Sequence, residues 1–127
     1  KCFGYAATLS GIKVLFTTAM DMVNQLIAAE ADHSLVKKLT YYQSPALLII
    51  DEIGYLPLGS HGSNLFFQII SSRHQNKSTA ITTNLVFSDW GKIFDSTTAA
   101  TAIADRLVQN SEVMVLEGKS YRQRENK

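Results

Sequence analysis

Three observations predict an α/β domain of three layers built on a parallel sheet. Short β-rich runs alternate with helical patterns along the whole chain. One run, Leu47-Leu48-Ile49-Ile50, has no polar alternation, as suits a strand buried on both faces. The pair Asp51-Glu52 closes that run, at the edge where open α/β sheets bind ligands.

The elements follow in order. Lys13–Thr18 reads as the first strand, and Met20–Ala31 as a helix whose apolar face carries Ala19, Val23, Leu26 and Ile27. Ser34–Gln43 reads as a second, shorter helix bearing Lys37 and Lys38, and Pro45 ends any helix before the Leu47–Asp51 strand. Gly54, Pro57, Gly59 and Gly62 punctuate a loop, after which Ser63 or Asn64 caps a helix running to about Gln75. Ser78–Thr83 is the third strand, ended by Asn84, and Ser88 suits the N-cap of a short helix over Asp89–Phe94. Thr98–Gln109 is amphipathic, with Ala100, Ile103, Ala104, Leu107 and Val108 on one face and Asp105 and Arg106 away from it. Val113–Leu116 reads as a last strand before a basic tail.

Composition narrows the function classes. The 127 residues suit one domain with its own core. Charged residues make up 18%, below the usual ~25%, which points to a surface that expects a partner. A net charge of +1 gives no global field for nucleic acid. No apolar run approaches the ~20 residues of a membrane span, so no membrane partner is expected. The single cysteine, Cys2, excludes an internal disulfide and favours a reducing cytoplasm.

A phosphate-binding loop needs Gly-x-x-x-x-Gly-Lys-Ser/Thr between a strand and a helix. Gly118-Lys119-Ser120 has Val113 where the first glycine belongs, and only seven residues follow Ser120, too few for that helix. This tripeptide is a decoy. His33, His61 and His74 lack metal-ligand spacing and read as surface residues. Asp51 and Glu52 alone can be two solvated residues at a strand end. In a nucleotide-hydrolysing site, the first carboxylate helps hold Mg²⁺ and the second polarises the attacking water. Thr82-Thr83-Asn84 ends the next strand, so an amide lies at the same sheet edge, suited to orient that water. Arg106, on a later helix, suits either an ion pair with a nearby acid or an arginine finger reaching a neighbour's nucleotide.

The run Leu47-Leu48-Ile49-Ile50-Asp51-Glu52-Ile53-Gly54-Tyr55-Leu56-Pro57-Leu58 resembles the Walker B region of the IstB-like ATP-binding family. These are AAA+ helpers of a bacterial transposon class, related to DnaC-type helicase loaders. The likeness continues through Asn64-Leu65-Phe66-Phe67-Gln68, Thr82-Thr83-Asn84, Asp89-Trp90-Gly91, Ala102–Leu107 and Gly118–Arg122. It implies a P-loop NTPase sheet of AAA+ type, present as one partial domain over 1–127 that lacks its first, Walker A, strand. It further implies ATP and Mg²⁺ as cofactors, with Asp51 holding Mg²⁺ through water, Glu52 as general base, Asn84 as sensor 1 and Arg106 as arginine finger. Expected partners are DNA, a transposase and further copies of the same protein. In the family a Walker A loop and its strand precede the helix that ends near Gly4-Tyr5-Ala6-Ala7. The P-loop lysine belongs about two helical turns upstream of Gly4, so Lys1 is too close to stand for it. The final strand, Val113–Leu116, then lacks its neighbour beside Ser78–Thr83.

Three readings follow: part of an ATPase assisting transposition and inactive in isolation, a non-hydrolysing module that binds DNA or a partner, and a helicase loader.

Overall fold

The computed structural model describes residues 9–54, 57–109 and 111–115. Three parallel strands, β1 (Val14–Thr18), β2 (Leu47–Ile53) and β3 (Ser78–Thr83), lie in that order. Leu15 pairs with Leu48, and Leu48 with Thr79. Parallel neighbours need long crossovers. Two helices supply the first, α1 (Ala19–Ala31) and α2 (Leu35–Gln43), and α3 (Gly59–Arg73) supplies the second. A 3₁₀ turn (Phe87–Lys92) and α4 (Thr97–Val108) follow β3.

Alternation along the strands sorts the core. Leu48, Ile50 and Ile53 of β2, with Leu15 and Ile81 beside them, meet Met22, Leu26, Phe66, Ile69 and Ile103 from the helices. Leu47 and Ile49 point to the opposite face and are buried as well, so β2 is covered on both sides as its unbroken apolar run predicts. Thr18 starts α1 where β1 stops: its hydroxyl accepts the Asp21 N–H at 3.1 Å. Tyr42 is buried and donates to Gln25 Oε1 at 2.7 Å. Its burial, with Tyr41 beside it, pushes the phenol up to about 12.

Four elements differ from the sequence expectations. Ile27 is 40% exposed, and Met22 and Ala29 complete the buried face of α1 instead. α3 starts at Gly59, not after Ser63: Gly62, Ser63 and Leu65 are buried against the rest of the core, and Gly62 serves packing where the sequence suggests a loop. The short helix is 3₁₀, starts earlier than Asp89 and has no side-chain cap from Ser88; Trp90, Ile93 and Phe94 fix it by burial. Val113–Val115 has no regular structure and is exposed, consistent with a strand that finds no ladder partner among the described residues. Leu116, Cys2, Gly4–Ala7, Gly118-Lys119-Ser120 and the basic tail lie outside the described residues, as do Tyr55 and Leu56. Among the described residues, no helix is long and apolar enough to cross a membrane.

Candidate active site

The carboxyl ends of β2 and β3 form the site, and a break in their pairing shapes it. Ile50 pairs with Ile81, but Ile53 pairs with Thr83, so Asp51 and Glu52 both stand opposite Thr82. Two residues against one is a bulge, which bends a strand and re-aims its side chains. Glu52 takes the bend with φ 62°, in the left-handed region that a glutamate rarely occupies. Gly54 follows at φ 109°, and a Cβ there would stand 2.8 Å from Asn84 Oδ1. That φ strains any residue with a side chain, so glycine is what lets the end of β2 turn beside Asn84 and Leu85.

Hydroxyls replace the backbone rungs that the bulge breaks. Thr82 Oγ1 accepts the Glu52 N–H at 3.1 Å and donates to Asp51 Oδ1. Thr83 Oγ1 donates to the Ile53 carbonyl at 2.7 Å and accepts the Leu85 N–H at 3.1 Å. Glu52, Thr82, Thr83 and Asn84 line a cleft of about 320 Å³. The structure therefore brings Asp51, Glu52 and Asn84 to one sheet edge, with Asp51 tied to the wall of the cleft through Thr82.

Arg106 is elsewhere. Its guanidinium lies 4.7 Å from the centre of the Phe67 ring, and Nη1 donates to the Ala102 carbonyl at 3.2 Å. No acid pairs with it among the described residues, so the ion-pair alternative gives way to a cation–π stack. It faces a broader groove, about 990 Å³, along the outer edge of β3. His61 is a surface residue, as its spacing suggests, and sits 2.6 Å from Glu30 Oε2 across α1 and α3. The roles of Thr82 and Thr83 are not legible in the sequence, where the Thr-Thr-Asn run points to the amide alone, because their hydroxyls bond across to β2.

The donor set suits a hydrated magnesium ion. No group of three metal-ligating side chains occurs among the described residues. Mg²⁺ keeps several waters and takes other ligands from phosphates, so one or two carboxylates are what such a site provides.

Residues 1–127 match the family model described as IstB-like ATP binding protein. Relatives named as ATP-binding proteins of insertion sequences match along nearly the whole chain. That of IS5376 from Geobacillus stearothermophilus is 41% identical over 124 residues, 98% of this chain and 49% of the relative. That of IS21 from Pseudomonas aeruginosa is 36% identical, over 98% of this chain and 47% of the relative. The chain thus spans about half the length of these curated relatives. Among solved structures, AMPPCP-bound DnaA from Aquifex aeolicus aligns with a TM-score of 0.70 at 16% identity, covering 80% of this chain and 32% of that one. Domain III of the Thermotoga maritima replication initiation protein DnaA aligns at 0.65 and 14%, covering 78% and 42%. At these identities the likeness shows the fold.

Proposed function

The chain belongs to the family of IstB-like ATP-binding proteins, and from that premise we propose that it is the hydrolytic part of an ATPase that assists DNA transposition in the cytoplasm. The observation that carries the reading is the convergence of Glu52 and Asn84 on one cleft at the strand ends, with Asp51 held beside them. Bound MgATP supplies the phosphoanhydride and the charge neutralisation that phosphoryl transfer requires. Asp51 has one oxygen held by Thr82, and it is the residue that would hold Mg²⁺ through water. Glu52 accepts the proton of the attacking water, and Asn84 orients that water from the neighbouring strand.

Arg106 serves a neighbouring copy as an arginine finger. Its position on the groove by β3, outside the Glu52–Asn84 cleft, suits action in trans. The phosphate cradle comes from residues other than those of this site, in keeping with a chain that covers half of its relatives. Oligomers of the whole protein then engage DNA and stimulate a transposase.

The test is Glu52→Gln in the full-length protein. ATP affinity should stay within a few-fold, while hydrolysis falls by roughly 10² or more, the scale of a lost general base. Equal loss of binding and turnover would remove Glu52 from the role of base. Unchanged turnover would remove the site.

A further inference from the structure

We infer that Thr82 is a positioning residue whose hydroxyl sets the aim of Glu52. The inference rests on the reading of Glu52 as the base. A strand carrying an extra residue has no ladder bond to hold that residue, and Glu52 also occupies a backbone region that its side chain disfavours. Something must hold it there. The Thr82 hydroxyl does so by satisfying the Glu52 N–H, and its single proton goes to Asp51 Oδ1. With its donor and one acceptor site engaged, the hydroxyl has one orientation, and it fixes both acids relative to β3. Asn84 follows two residues on, just past the end of β3 and against Gly54. Base, metal-side acid and water-orienting amide are thereby held in one frame. Thr82 is exposed and lines the cleft, so core packing does not explain it.

A Thr82→Val variant keeps the branched shape and deletes the hydroxyl. In the full-length protein, three quantities separate positioning from general structure: kcat, ATP affinity and hydrogen exchange at the Glu52 amide. Exchange at Glu52 should accelerate about tenfold while the Leu48 and Ile50 amides keep their protection. Turnover should fall by roughly 10²-fold, the effect of a misplaced catalytic group, with ATP affinity within about threefold. Thr82→Ser, which restores the hydroxyl, should recover both exchange and turnover. If Thr82→Val does not fold, Thr82→Ala carries the same three readings. Normal turnover in the valine variant, beside a dead Glu52→Gln control, would overturn the inference and leave the proposed function standing. An active Glu52→Gln control would overturn both. Unaltered Glu52 exchange would overturn the inference on structural grounds, whatever the turnover.

Discussion

Arg73 carries more of the fold than any other single charged side chain described. It is 1% exposed, yet no carboxylate pairs with it among the described residues. Its nitrogens donate instead to the carbonyls of Tyr42, Gln43, Pro45 and Ser78 and to Thr79 Oγ1. The first two carbonyls belong to the end of α2, where helix carbonyls lack partners and the dipole favours a cation. One guanidinium fork thus ties the ends of α2 and α3 to the start of β3. Burial draws its pKa down from the usual value, but several oxygens stabilise the charge. Arg73→Ala should cost about 3–5 kcal/mol, since it strands buried carbonyls and leaves a cavity. Arg73→Lys should recover little, because an ammonium cannot fork toward separate carbonyls. Urea unfolding measures both; a loss below about 1 kcal/mol for Arg73→Ala would show that water replaces the side chain. In sequence Arg73 is an ordinary basic residue near a helix end, because its acceptors lie roughly thirty residues upstream as well as next door.

At the scale of elements, α1 and α3 meet at Gly62. A Cβ there would come 2.9 Å from Val23 Cγ1, a buried, branched side chain with little freedom to yield. Gly62→Ala brings two opposed effects. The helix gains up to about 1 kcal/mol of propensity, and overpacking costs about 1–3 kcal/mol. The clash should win, giving net destabilisation. Combined with Val23→Ala, the substitution should cost less than the sum of the two singles, because the truncated side chain makes room. A double-mutant cycle with no favourable coupling would show that the helices separate without strain. Gly59 and Gly62 read as loop punctuation in the sequence, while the partner that makes Gly62 necessary is 39 positions away on α1. The strand ends show the converse. Leu47–Ile50 is legible because burial on both faces writes itself into consecutive residues, and Ser78–Thr83, only partly buried, because β-branched Thr and Ile cluster there. The bulge at Asp51-Glu52 is not, because register belongs to two strands at once.

For the molecule as a whole, the outer edge of β3 has no strand beside it among the described residues, and a groove with Met114 and Arg106 on its wall runs along it. On the proposed reading, the phosphate cradle comes from residues other than those of the Glu52–Asn84 site. ATP with Mg²⁺ should therefore leave the melting temperature of the isolated 127 residues unchanged. The full-length protein should gain about 2.7 kcal/mol at a hundredfold excess over Kd. Stabilisation of the isolated residues by nucleotide would place a cradle within them and overturn that part of the proposal. The sequence by itself determined the three strands of the sheet, though not the irregular Val113–Val115, their parallel alternation with helices, and the meeting of two acids and an amide at one sheet edge. Each of these is a local pattern, or follows from topology once the strands are known. Only the tertiary structure decided how Glu52 is aimed, why Gly54 and Gly62 are glycines, what Arg73 holds and where Arg106 rests. Those depend on atoms that the chain brings together from distant positions, and close packing at such contacts leaves no trace in local periodicity.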